Sequence, residues 1–334
     1  MALDVKVTID LLKPIGSIGF GYPLILASNI GEGAAVEYTE CASLADVTTA
    51  GFASGTDVYK AANLIFMQNH APTKIAVCSC AGEATAALPA IIDKGWRQLI
   101  VVGSSVTDFD DKISEYIETT DKIYFANVAT APTSSKNFKK YDRTVCFVYA
   151  GEDYSKLGVA AVVGATAGYN AGEITYKNMV IKGLTAQTIT DTDLAAMHTN
   201  GGFTVVSKAG DIVTSEGITG SGEYIDVIDS KDWIIQQLTY DTQKTLNKLG
   251  KVPYDNNGIA ILESVAVNVM RTAYNNGMIA TNDDGTPAYA VNYALVADCS
   301  AADIAARKYV GGKFAFTLSG AIHNVEINGE ITVA

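Results

Sequence analysis

Leu99-Ile100-Val101-Val102, Ile123-Tyr124-Phe125-Ala126-Asn127-Val128 and Val145-Cys146-Phe147-Val148-Tyr149 are three short runs, almost wholly apolar. Runs this short, greasy on both faces, read as strands buried in the middle of a parallel sheet. Between the first two, Phe109, Ile113, Tyr116 and Ile117 recur at helical spacing, with a cap expected near Thr107. After the third, Leu157 to Gly168 reads as a helix of small residues. Strands alternating with helices make an α/β layer. The same pattern extends toward the N-terminus. Lys74 to Cys80 reads as a strand, and Thr85 to Lys94 as a helix around Pro89. Tyr22 to Ser28 reads as another strand, and Thr56 caps a helix with Val58, Ala62, Ile65 and Phe66 on one face. Thr130 to Asp142 is polar and reads as a surface loop.

A second unit of different character begins near Gly172. Phe203 to Ser207 and Asp211 to Thr214 predict a hairpin around Ala209-Gly210. Asp229 or Ser230 is expected to cap a long helix with Ile235, Leu238, Thr242, Leu246 and Leu249 inward, stopping at Gly250 ahead of Pro253. Asn256 or Asn257 is expected to open a further helix carrying Ile259, Leu262, Ala266, Val269 and Ala273, which ends at Asn276-Gly277. Tyr289 to Val296, Lys313 to Leu318, Ile322 to Ile327 and Glu330 to Val333 read as strands, the last two joined at Asn328-Gly329. The fold class is therefore α/β followed by α+β.

The 334 residues suffice for about two domains. Apolar residues make up 48%, which excludes a disordered chain. A net charge of −12 without a basic cluster repels phosphate, so direct nucleic-acid binding is not expected. Only 18% of residues are charged, and 17 Tyr stand against 10 Phe, which suggests that much of the surface lies against other protein. The start Met1-Ala2-Leu3-Asp4 lacks a signal-peptide profile, and no apolar stretch approaches the length of a bilayer span. A soluble protein made in the cytoplasm, with no membrane insertion, is the expectation. Cys41, Cys78, Cys80, Cys146 and Cys299 are odd in number without a C-x-x-C, and read as buried thiols.

Catalytic signatures are few. Val101-Val102-Gly103-Ser104-Ser105 is a strand running into a turn, yet no phosphate-binding glycine motif follows any strand. Gly217, Gly220 and Gly222 read as a loop with no helix at its end. Asn282-Asp283-Asp284-Gly285 lacks the later Glu of a calcium loop and reads as a hairpin turn. His198 and His323, the latter placed in a terminal strand, have no nucleophile motif and read as structural. No enzyme activity, metal or cofactor is expected.

The chain ends stand out. Val5, Val7, Ile9 and Leu11 alternate with polar residues, and the glycine-rich break at Gly16, Gly19 and Gly21 follows as a candidate hinge. Ile322, Val325, Ile327, Ile331 and Val333 line the terminal strands. A lone strand must find a sheet edge. These ends either pair within their own subunit or add to neighbouring copies, and the second arrangement builds rings or helical tubes.

Several segments together resemble contractile phage-tail sheath proteins, closest to their short branch. They are Asp57-Val58-Tyr59-Lys60-Ala61-Ala62 with Phe66-Met67-Gln68; Gly222-Glu223-Tyr224-Ile225-Asp226 with Asp232-Trp233; Lys251-Val252-Pro253-Tyr254-Asp255; and Ser300-Ala301-Ala302-Asp303-Ile304 with Leu318-Ser319-Gly320-Ala321-Ile322-His323. The resemblance implies a structural subunit that assembles as sixfold rings stacked helically around a tail tube. Contraction of such a sheath drives the tube through a cell envelope. It implies further copies of the chain, a tail tube protein, and baseplate and tail terminator proteins as partners, in a virion tail or a phage-derived particle. It divides the chain into an N-terminal arm and hinge (1–21), an α/β domain (22–171), an α+β sheath core (172–321) and a C-terminal arm (322–334). The alternatives are an α/β nucleotide-binding protein or enzyme, and another tail structural protein of the tube or baseplate.

Overall fold

The computed structural model describes residues 20–30, 35–103, 110–131, 138–151, 154 and 156–326. Val5, Val7, Ile9, Leu11, Gly16 and Gly19 lie outside the described residues, as do Ile327, Ile331 and Val333.

Seven strands form one sheet: β1 (Tyr22–Ala27), β2 (Thr39–Cys41), β3 (Ile75–Ser79), β4 (Trp96–Val102), β5 (Ile123–Val128), β6 (Thr144–Val148) and β7 (Gly202–Phe203). Their order is β2-β3-β1-β4-β5-β6-β7, parallel throughout except for β2, which runs antiparallel to β3. The apolar runs at 99–102, 123–128 and 145–148 are central and buried on both faces, as parallel strands require. One face packs against α1 (Leu44–Thr49), α2 (Asp57–Phe66) and α5 (Val159–Thr166); the other packs against α3 (Ala84–Ile91) and α4 (Asp111–Ile117). Thr56 caps α2 through its side chain, which accepts from the Tyr59 N–H, and all eight residues of α5 are buried between its neighbours. Asp110 caps α4, whereas Thr107 and Phe109 lie outside the described residues.

The sheet continues past Gly172. After α6 (Asp191–Thr199) the short β7 adds to its edge, and the hairpin of β8 (Val205–Lys208) and β9 (Asp211–Thr214) turns at Ala209-Gly210. The first layer thus draws on chain as far as Ile225 and Ile228 in the first turn of the next helix, and the second core takes up that helix from Ile234.

That second core is built on two helices, α7 (Ile225–Leu249) and α8 (Asn256–Asn275). Here the expected caps differ from the observed ones. The long helix starts at Ile225, so a helix does follow the glycine-rich loop, and Asp229 and Ser230 lie buried inside it. The next helix is capped by Asp255, not by Asn256 or Asn257, because the Asp255 Oδ1 accepts from the Gly258 N–H at 2.8 Å. Gly250 ends α7 in the left-handed conformation expected of a stop signal. Leu249, expected inward, is 45% exposed, so the last turns of α7 run beyond the core.

Ile234 and Leu238 of α7 meet Ala266, Val269, Met270 and Ala273 of α8. A two-stranded antiparallel sheet of β10 (Tyr289–Tyr293) and β11 (Gly312–Phe316) closes this core with Tyr289, Val291, Tyr293, Phe314 and Phe316. β10 stops at Tyr293, short of the expected Val296, where a 3-10 turn leads to α9 (Ala301–Ala305). Asn282 to Gly285 is a hairpin turn, closed by the Gly285 N–H donating to the Asn282 carbonyl. The terminal strand expected from Ile322 is not formed over 322–326, and His323 therefore lies in an irregular segment. A strand needs a ladder, and no described residue offers one to this stretch.

Candidate assembly surface

Where the parallel strands begin, the sheet presents basic side chains. Arg97 is the second residue of β4, and Arg143 immediately precedes β6. The first turns of α7 lie against them with Asp229 and Asp232. Arg97 Nη2 reaches Asp229 Oδ1 at 2.8 Å and Asp232 Oδ2 at 2.7 Å, while its Nη1 donates to the Asp121 carbonyl. Arg143 holds Asp232 with two bonds, Nη1 to Oδ2 at 2.7 Å and Nη2 to Oδ1 at 2.8 Å. The Tyr176 hydroxyl donates to Asp229 Oδ2 at 2.8 Å. Burial works against the Asp232 charge, but the two guanidinium groups outweigh it and hold its carboxyl below the usual range. For Asp229 burial prevails over Arg97, and its carboxyl is pushed up. The Phe20 ring lies 4.6 Å from the Arg97 guanidinium, so the root of the N-terminal segment rests on the same cluster.

Beside the cluster, Phe20, Gly21, Gln98, Tyr176, Asp226 and Asp229 line a small cavity, into which no ordinary phosphate would fit against two carboxylates. Gly21 was expected to be a hinge. Its φ of +103° demands glycine, and a Cβ there would lie 2.7 Å from the Arg97 Cβ, which makes this position a closely packed corner.

Open α/β sheets bind ligands at the opposite end, where the strands finish. At that end, among the described residues, β1 stays bonded to both neighbouring strands past its last residue. The Ser28 N–H donates to the Val102 carbonyl at 2.9 Å, and the Cys80 N–H to the Ala27 carbonyl at 2.8 Å. At Gly103, in the strand-to-turn stretch that lacks a phosphate-binding motif, a Cβ would lie 2.2 Å from the Ser28 carbonyl oxygen. Gly103 serves close backbone packing. His198 shares a hydrogen bond of 2.9 Å with Ser215, a residue 2% exposed whose hydroxyl also accepts the Thr204 N–H.

The C-terminal unit carries an open edge. In the β10–β11 ladder, Ala294 donates to the Gly311 carbonyl and Thr317 to the Ala288 carbonyl. Those bonds set the parity of the ladder, so the N–H and C=O groups of Tyr289, Val291 and Tyr293, and of Gly312, Phe314 and Phe316, point away from it. On β10, Tyr293 N–H is taken by Glu263 Oε1 at 3.3 Å. On β11, no hydrogen bond from another described residue meets the outward groups. Two strands alone are marginal, and a bare edge is a template for a third.

Of the expected end residues that are described, Ile322 is 85% and Val325 72% exposed. Neither meets β11. Sequence pattern marks the terminal segments but not the Arg97–Asp229–Asp232–Arg143 cluster or the β11 edge. Arg97 carried a signal, since a charge inside the apolar run from Trp96 to Val102 demands a buried partner. Nothing in the sequence named that partner.

Residues 225–331 match the family model described as the E217 tail sheath protein gp31-like, C-terminal domain. The structure resembles the helical sheath of the anti-feeding prophage in its contracted state, with a TM-score of 0.72 at 15% identity, over 99% of this chain and 98% of that one. A chain of the sixfold-symmetrised baseplate of the same particle gives 0.71 at 16% identity, over 100% and 99%. The sheath tail protein Lin1278 from Listeria innocua gives 0.55 at 10% identity, over 91% and 96%. Sequence comparison with curated proteins finds no significant match. The chain has the fold of contractile sheath proteins, and its C-terminal third matches a tail-sheath domain.

Proposed function

We propose that this protein is a structural subunit of a contractile tail sheath, stacking as rings around a tail tube and shortening to drive that tube through a cell envelope. The observation that carries this reading is the open β11 edge, placed on the unit whose sequence matches a tail-sheath domain. Main-chain pairing along such an edge attaches any extended segment, and alternate side chains fix its register. The segments beginning with Val5, Val7, Ile9 and Leu11 and with Ile322, Val325, Ile327, Ile331 and Val333 are the donors in this reading, supplied by neighbouring copies. Gly16, Gly19 and Gly21 form the hinge of the N-terminal arm in this reading. A tube protein, baseplate and terminator proteins and sixfold rings complete the assembly, in a virion tail or a related injection particle.

The role needs no catalytic step. Force comes from interfaces that are better formed in the shortened lattice, since a trigger releases only a difference already present. Electron microscopy of the purified chain at high concentration tests the proposal: striated tubes are expected, and a protein that stays monomeric overturns it. Likeness to a baseplate chain supports a second reading, in which the subunit sits at the tail's end. Its position in the native particle, read by cryo-electron microscopy, separates the two.

A further inference from the structure

After Phe316 the chain leaves the second core. Thr317 and Ser319 still bond to Ala288 and Met278, but from Gly320 to Glu326 no main-chain group bonds to another described residue. Within this bare stretch a single side chain is held on several sides. His323 turns inward between two exposed neighbours, Ile322 and Val325. Its Nε2 lies 2.9 Å from Thr175 Oγ1, and its Nδ1 lies 3.3 Å from Glu216 Oε1. Its ring meets Tyr224 edge to face, with centroids 4.9 Å apart and planes at 88°.

The contacts are mutually completing. Glu216 Oε2 is taken by Lys177 Nζ at 2.9 Å, while Glu216 Oε1 is buried, has no hydrogen-bond partner among the described residues, and faces the imidazole at 3.3 Å. The imidazole thus has the Thr175 hydroxyl as hydrogen-bond partner at Nε2 and a carboxylate beside Nδ1, so both ring nitrogens face polar groups. Thr175 and Glu216 belong to loops of the first layer, and Tyr224 immediately precedes α7. The imidazole therefore ties the end of the second unit back to the first.

We propose that His323 is the positioning residue of the C-terminal arm: its side chain fixes the point and direction from which the segment leaves, while the main chain stays free to pair with a second copy of this protein. The inference rests on the sheath reading for its consequence in assembly, but the anchoring itself is a property of the single subunit. A strand that must reach a neighbour's edge in register has far fewer orientations to search when its root is fixed, and less entropy is lost on pairing. Ile322 and Val325 are then held outward, ready to be covered.

The test uses the full chain and three variants, His323→Ala, His323→Gln and Thr175→Val. Gln offers both a donor and an acceptor; Val keeps the shape of Thr175 but removes its hydroxyl. Cleavage at Glu326 by a Glu-specific protease is followed alongside thermal unfolding and tube formation. In His323→Ala, cleavage is expected to rise about tenfold with the melting transition kept, since losing one such anchor frees the segment locally. Thr175→Val raises cleavage by a smaller factor, His323→Gln restores resistance, and tubes of the Ala variant are irregular or absent. Unchanged cleavage in both His323→Ala and Thr175→Val overturns the proposal, as do normal tubes from a variant whose segment has been freed. Should the unaltered protein form no tubes, the sheath reading fails while the cleavage series still decides whether His323 is an anchor.

Discussion

Arg97 shows how much depends on one side chain. It is 3% exposed, stands between two carboxylates and joins a strand of the first sheet to a helix that begins over a hundred residues later. Removing one member of a buried ion network leaves the others uncompensated. Arg97→Met is therefore expected to cost ~3–5 kcal/mol, read as a lower urea midpoint, because Asp229 and Asp232 would face each other without it. The double change Arg97→Met with Asp229→Asn should recover part of that loss, because Asp232 keeps both bonds from Arg143. Tyrosines give a second expectation. Burial raises Tyr22, Tyr141 and Tyr309 to about 12, with acidic or tyrosine neighbours adding to it. A raised phenol favours the neutral form in the folded state, so this contribution is intact below the ordinary value near 10 and is lost as pH rises through about 12. Phenolate absorbance should thus appear together with unfolding in that window; full ionisation of every tyrosine near pH 10 in a still-folded protein contradicts it. Residue identities alone hid this network. Asp229 was legible as an acidic residue near a helix start and so read as a cap, because its true partner lies in a strand far away in sequence.

Elements were legible to the extent that their stability is local. Thr56 before an apolar helical face, and Gly250 ahead of Pro253, mark ends whose bonds lie within a few residues, and both stand where the sequence put them. The central strands were legible because burial on both faces leaves an unbroken apolar run. The start of α8 was less so, since three candidate residues, Asp255, Asn256 and Asn257, are adjacent. Their geometry separates them. Asp255→Ala should cost about 1 kcal/mol in thermal or urea unfolding, as loss of a cap does. Asn257→Ala should stay within about 0.5 kcal/mol, as exposed changes do. Equal effects would mean that the cap is not Asp255. The strand expected from Ile322 illustrates the opposite limit. Alternation states which face a strand would bury, but a strand also needs a neighbour, and that neighbour is not written in the segment itself. β7 is a milder case, since two residues joined to a sheet edge leave almost no pattern.

At the scale of the whole molecule, the second unit is small for the surface it leaves open. Its core is two helices closed by a two-stranded sheet, and one edge of that sheet has no partner among the described residues. In the sheath reading, further copies provide what the subunit lacks. Contacts of this kind are head to tail, because the donated segment and the accepting edge are different surfaces, and growth continues until a subunit arrives that cannot give its share. A chain lacking its first dozen residues should then be such a terminator. It should fold, with the same melting transition as the full chain, since the described core from Phe20 onward makes its own contacts. Alone it should form no tubes. Mixed at about one part in ten with full-length protein, it should shorten the tubes several-fold, because each incorporated copy leaves an edge unpaired on a neighbour. Tube lengths measured by electron microscopy across a series of mixing ratios decide the matter. If the truncated chain polymerises normally, or is carried into tubes without shortening them, the N-terminal segment is not shared between copies, and the open β11 edge must be met by something else.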